Sequence, residues 1–353
     1  MIDVPSGIFF TRYSQDMRMI RTPLRMVLLV LLLLFLYVVP TLFASGALIQ
    51  LLNIFIIWII AAHGLNILTG LCGQISLGHA GFVGVGAYTA GILGTKLGLP
   101  FWVSIPCAGM SAALVGTIFG LPSVRIKGFY LALSTMAAQF ILLYVFLHWH
   151  SMTGGSEGLF VDPISIAGFS LDSGARFYPF ALTVCIIMTC IFINLRRGSI
   201  CRAFIAIKDN DLASEAMAIN ISTYKILAFA IGCFFAGIAG ALMAYQLQFV
   251  SVDFFPFLDS LWFVGVIIIG GMGSVLGPIF GVIFVKGISE ILTFYVAPLI
   301  AKLFPVLGLQ ISSSITLIFF ALIIMVFIVF EPRGLAYRWN IFKNYYRLWP
   351  FPY

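Results

Sequence analysis

From Met26 to Thr95 the chain carries no Asp, Glu, Lys or Arg. Charge-free runs recur at Leu97–Val124, Gly128–Ser156, Phe177–Leu195, Ile226–Val252, Ser260–Val285 and Leu303–Phe330. Each is near or above the roughly 20 residues a helix needs to cross a bilayer. Only 9% of residues are charged, against about 25% in a soluble domain, and mean hydropathy is +1.12. In hydrocarbon every backbone N–H and C=O must be paired within the protein, which leaves helices as the economical solution. The expected fold is an all-α polytopic membrane protein of about ten transmembrane helices (8–10), near 24–44, 47–69, 76–97, 101–121, 128–149, 177–196, 225–247, 258–283, 287–304 and 311–330. The first run, with its long basic leader, reads as a signal anchor rather than a cleaved signal peptide.

The charges that exist are clustered. Arg196, Arg197, Arg202, Lys208, Asp209, Asp211, Glu215 and Lys225 fall within 196–225, between two apolar runs. Burying eight charges at 2.5 kcal/mol or more each would cost roughly 20 kcal/mol, so this loop is aqueous and is a natural docking place for a soluble partner. The net charge of +7 reports topology rather than nucleic acid. Arg12, Arg18, Arg21 and Arg25 precede the first run, Arg125 and Lys127 lie between runs, and Arg333, Arg338, Lys343 and Arg347 follow the last. The positive-inside rule places these regions, the 196–225 loop and both termini in the cytoplasm. The 150–176 loop, with Glu157, Asp162 and Asp172 against Arg176, falls outside.

Within the aqueous loop a helix is expected from Asp211 to Ile219, with Asp209, Asn210 and Asp211 as cap candidates. Leu212, Ala216 and Ile219 then share a face beside Glu215, suited to a partner's groove or to the membrane surface. Two seams of small residues, Ala80, Gly84, Ala87, Gly91 and Gly94, and Gly273, Gly277 and Gly281, suit close helix packing or the shaping of a permeation path. The Gly-rich segments GQISLGHAGF and GGMGSVLGPIFG are faintly alike, as internal repeats in transporters are. Either segment is a candidate for a broken or re-entrant helix.

The chain has no GxxxxGK[ST] or HExxH motif, so ATP binding is not expected of it, and no catalytic residue, cofactor or metal is assigned. Five cysteines lie in apolar runs without metal-ligand spacing and read as buried hydrophobes. Lys286 and Glu290 are spaced for a local ion pair. His63 and His79 are the titratable side chains within the spans, suited to packing or to a path.

The run RAFIAIKDNDLASEAMAINISTYK at 202–225 resembles the cytoplasmic coupling segment of LivM-type permeases, membrane subunits of branched-chain amino-acid ABC importers. GLCGQISLGHAGFVGVGAYTAG at 70–91, AGIAGALMA at 236–244, GGMGSVLGPIFG at 270–281 and EPRGL at 331–335 match in the same order. Two positions depart from the family: Ala218 stands where Gly usually follows the EAM triplet, and Cys201 where Gly usually precedes Arg202. The resemblance implies a leader (1–23), a permease domain (24–335) containing an ATPase-coupling loop (196–225), and a cytoplasmic tail (336–353). It implies a bacterial inner-membrane protein pairing with a second, LivH-type permease, two cytoplasmic ABC ATPases that hold the ATP and Mg2+, and a periplasmic substrate-binding protein. The coupling residues would be Arg202, Asp209, Asp211, Leu212, Glu215, Ala216 and Ile219. Leucine, isoleucine, valine or a related neutral amino acid is the implied solute. A path without fixed charge suits a zwitterion, and Asn66, Gln74, Ser76 and His79 are candidate polar groups along it. A urea or amide permease, a secondary carrier or channel for a neutral solute, and a lipid-acting membrane enzyme are the competing readings.

Overall fold

In a computed structural model, residues 23–43, 45–126, 128–166, 169–292 and 308–348 are described. The leader up to residue 22, the end of the tail and most of the expected 287–304 span lie outside them. The helices are α1 Pro23–Phe43, α2 Gly46–Leu65, α3 His79–Thr95, α4 Phe101–Gly120, α5 Phe129–His148, the single turn α6 His150–Thr153, and α7 Gly174–Arg197. There follow α8 Ser199–Asp209, α9 Asp211–Ala216, α10 Ile221–Leu247, α11 Phe257–Gly270, α12 Leu276–Ile291, α13 Gly308–Phe330 and α14 Leu335–Leu348. Two short antiparallel ribbons, β1 Leu159–Phe160 with β4 Phe249–Val250 and β2 Ser165–Ile166 with β3 Phe169–Ser170, close one end. The charged segments α8 and α9 lie at the other end.

Among the described residues six helical stretches are long and apolar enough to cross a membrane: Gly46–Leu71, Phe101–Val124, Phe129–His148, Gly174–Arg197, Ile221–Leu247 and Val252–Gly270. A bent pair, Leu317–Phe330 with Leu335–Tyr346, makes a seventh if it counts as one span. The chain is a multi-pass helical membrane protein.

α10 is the centre, packed by α2, α3 and α4. Its small residues permit this. A β-carbon on Gly86 would strike the Gly237 backbone, and one on Gly240 would strike the carbonyl of Val83. In lipid, where apolar burial gives no net drive, such close backbone approach is what holds helices together. Gly84 and Gly91 face elsewhere, toward Phe146 and Phe255 and toward Leu159 and Val161.

The expected span 258–283, a candidate for a broken helix, is two helices. α11 stops at Gly270, residues 271–275 turn, and α12 returns antiparallel, with Gly277 against Gly270 and Gly281 against Val266. Gly271 (φ 110°) and Gly273 (φ 74°) supply the left-handed backbone that the reversal needs. Gly273 therefore lies in the turn, and Gly277 and Gly281 alone form a helical seam. The expected 76–97 span begins only at His79, after an irregular stretch.

Candidate functional site

Two sites built from the expected residues emerge, one at the basic end and one inside the bundle. At the basic end, α7 runs into α8, and Asn210 breaks the helix with extended backbone (φ −159°, ψ 110°). Of the three cap candidates Asn210 is the cap, its side chain accepting from Ala213 N (3.1 Å), while Ser214 Oγ donates to Asn210 O (2.8 Å). Asp211 in the first turn suits the helix dipole.

The helix ends at Ala216, earlier than the expected Ile219. The chain must turn at once to enter α10, whose own cap Asn220 accepts from Thr223 N (3.2 Å). Ala218 adopts φ 61°, Ala218 N donates to Glu215 O (2.9 Å) and Ile219 N to Ser214 O (3.1 Å). This is the paired hydrogen-bond closure of a helix through a left-handed residue, a place that glycine usually takes.

A six-residue helix is not stable by itself, so its anchors matter. Lys225 Nζ bonds Asp211 Oδ2 at 3.2 Å with both side chains largely buried. Ser214 is buried beneath the helix. One helix earlier, Lys208 Nζ donates to Gly70 O (2.8 Å), tying α8 to the end of the span that α2 begins. Leu212 (76% exposed), Met217 (78%), Glu215 and Ala216 face outward, and Ile219 is half-buried. Arg202 and Asp209 are exposed on α8 and at its end, Arg202 reaching back to Arg197 O (3.5 Å). The sequence reading missed Met217 and the Asp211–Lys225 lock. Their signals were a methionine in a polar loop and opposite charges flanking it. Cys201 is fully buried, and burial raises its thiol above the ordinary range although Arg196 acts the other way.

Inside the bundle, α2 continues as a π-helix, Asn66–Leu71, and the chain then runs irregularly back to His79. Asn66 is fully buried. Its Nδ2 donates to Ser274 O (2.8 Å) and its Oδ1 accepts from Gly273 N (2.8 Å), so one side chain joins the two Gly-rich interruptions. His79 opens α3 with a ring nitrogen 2.8 Å from Ala61 O, and Gln74 Nε2 lies 3.4 Å from Ser123 Oγ. Gln74 Oε1, Ser76 Oγ and His79 Nδ1 are buried without a hydrogen-bond partner among the described residues.

Polar residues that the sequence reading passed over support this segment. Thr135 Oγ1 accepts from Leu77 N (2.9 Å), and Ser260 Oγ accepts from Ala80 N (2.9 Å) while donating to Gln139 Oε1 (2.6 Å). Thr135 and Gln139 are four apart on α5, polar positions in an apolar run that would have marked them. His63 packs against Phe192 with the rings tilted, centroids 4.7 Å apart, and Thr189 Oγ1 lies 3.4 Å from its Nε2. No ion-pair contact joins Lys286 to Glu290 among the described residues, although Asp259 and Glu290 both act on it electrostatically; its ammonium lies over the Trp58 ring, 3.5 Å from the centroid.

Residues 47–329 match the family described as "Branched-chain amino acid transport system / permease component". The chain is 32% identical over 242 residues to the high-affinity branched-chain amino acid transport system permease protein LivM of Escherichia coli strain K12, covering 62% of this chain and 57% of the relative. It is 26% identical over 201 residues to the probable branched-chain amino acid transport permease protein LivM of Methanocaldococcus jannaschii (55% and 56%). It is also 28% identical over 237 residues to the autoinducer 2 import system permease protein LsrC of Enterobacter sp. strain 638 (64% and 65%). The chain thus spans less than two thirds of the length of these curated relatives. No solved structure matches it.

Proposed function

The chain belongs to the family of branched-chain amino acid transport system permease components, and on that premise we propose that it is the permease subunit of an ATP-driven importer. It forms half of a path for leucine, isoleucine, valine or a related neutral amino acid across a bacterial inner membrane. Ten crossings, adding α1 and the shorter α3 and α12 to the six long stretches and the bent pair, put both termini and α9 on the cytoplasmic side, in line with the basic clusters. A second, LivH-type permease completes the path, a periplasmic binding protein delivers solute, and two cytoplasmic ATPases hold ATP and Mg2+.

The observation that carries this reading is α9: a short helix locked at its base by Asp211–Lys225 and presenting Leu212, Glu215 and Met217 outward. A rigid knob at a span's end transmits a push; a slack loop does not. ATP-driven closure of the ATPases moves α9. The Lys208–Gly70 bond carries that movement to the interrupted span that α2 begins, biasing which face the cavity opens to. Gln74, Ser76 and His79, with unused hydrogen-bonding capacity at depth, are the groups offered to a zwitterion's ends or its accompanying water.

Glu215→Lys tests the knob. The subunit is expected to insert normally and to lose either ATPase association or solute-stimulated hydrolysis in the reconstituted complex. Full coupled activity would remove Glu215 from the contact. The likeness to an autoinducer 2 permease favours a second reading in which the same machinery carries another neutral polar solute, including urea or short amides. Solute-stimulated hydrolysis with each candidate binding protein separates the two.

A further inference from the structure

α14 leaves α13 at a 49° bend and exposes Trp339 (48%), Phe342 (62%), Tyr345 and Tyr346 around Arg338 and Lys343. Aromatic rings mixed with basic side chains, directly after a spanning helix, mark a helix that lies in the membrane–water interface. Two cavities adjoin neighbouring strips of it. One, of about 430 Å3, runs between Phe280, Ile283 and Phe284 of α12 and Leu335, Trp339 and Phe342 of α14. The other, of about 380 Å3, lies between α14 and the turn at 271–274. Its wall carries Arg196, Lys208 and Arg333 from three separate elements, with Asn340, and no carboxylate. Glu331, the acidic residue beside it in sequence, is engaged by Arg338.

We propose that the two cavities form one site for an anionic phospholipid. The headgroup phosphate sits among Arg196, Lys208 and Arg333, and an acyl chain lies in the apolar groove against Phe280 and Phe284. Three cations without a carboxylate in the lining call for an anion, and the adjoining groove calls for a hydrocarbon chain. A soluble subunit cannot supply that chain, because the groove's α12 wall is part of the hairpin packed within the bundle. The site is independent of which solute is carried.

The test uses the full-length purified chain, with native mass spectrometry for retained lipid and thermal unfolding for affinity. The probes are phosphatidylglycerol, phosphatidylcholine and inorganic phosphate. Phosphatidylglycerol is expected to be retained and to raise the unfolding midpoint, whereas phosphatidylcholine and phosphate leave it unchanged. Arg196→Gln with Arg333→Gln is expected to weaken phosphatidylglycerol binding roughly 10- to 30-fold, about 1 kcal/mol for each cation removed. Trp339→Ala is expected to weaken long-chain phosphatidylglycerol more than a short-chain form. Should the double variant fail to insert, Arg333→Gln alone carries the test, with a loss of roughly fivefold. Equal retention of phosphatidylcholine, an equal shift by phosphate alone, or unchanged affinity in these variants overturns the site. So does protection of Phe342→Cys from a thiol reagent by a cytoplasmic ATPase but not by phosphatidylglycerol.

Discussion

Two glycine-rich interruptions touch each other through Asn66, and one is closed while the other is not. At 271–275 the chain reverses tightly. Ser274 Oγ donates to Gly271 O (2.9 Å) and accepts from Gly277 N (2.9 Å), and Asn66 takes up Gly273 N and Ser274 O. At 72–78 the backbone is steadied by Thr135 and Ser260, yet Gln74, Ser76 and His79 each keep a buried polar atom unmatched. A buried group without a partner costs about 1–3 kcal/mol. Glycine content is similar in both stretches and so does not decide the outcome. What differs is whether the neighbouring side chains complete the hydrogen bonds. The closed turn behaves as a joint, and the open stretch holds polar capacity that a solute or water can use.

The strongest way to break this contrast is Asn66→Leu. It leaves Gly273 N and Ser274 O, both half-buried, without their partner, at about 2 kcal/mol for the two groups. The unfolding midpoint of the purified chain should fall sharply, and an unchanged midpoint would mean that Asn66 is not the clamp. Ser76→Ala sharpens the other side. Its hydroxyl has no partner to lose, so stability should change by less than about 1 kcal/mol. Solute-stimulated ATP hydrolysis by the reconstituted complex should nonetheless drop. Equal destabilisation by the two substitutions would make both interruptions structural and erase the distinction.

Much of the architecture was legible because bilayers penalise charge so heavily. The charge-free runs anticipated the long helices, and the polar loop at 196–225 anticipated α9, down to a cap among residues 209–211, but not α8 at Ser199–Asp209. The hairpin at 271–275 was not legible as a hairpin. GGMGSVLGP is flanked by apolar residues on both sides, and hydropathy registers distance from charge, not direction of travel. Packing faces were hidden for a related reason. In lipid the outward face is as apolar as the core, so periodicity gave no means of telling Gly86, which meets α10, from Gly84, which meets Phe146 and Phe255. The same blindness sent Lys286 to Glu290 along its helix rather than across to Trp58.

The smallest expected effect concerns a third reversal, at Met217–Asn220, where the hydrogen bonds are complete and the residue is wrong for the backbone. Ala218 closes α9 with φ 61°, a conformation in which a β-carbon is strained and glycine is not. Ala218→Gly should stabilise the turn by about 0.5–1 kcal/mol, less than the full strain because glycine also loses more freedom on folding. Amide exchange at Ala218 and Ile219, the donors of the two closing bonds, should slow accordingly while global unfolding barely moves. Faster exchange would show that α9 is held by the Asp211–Lys225 lock alone. Completed hydrogen bonding would then fail to explain rigidity in this reversal, and its use to tell the closed interruption from the open one would fail with it.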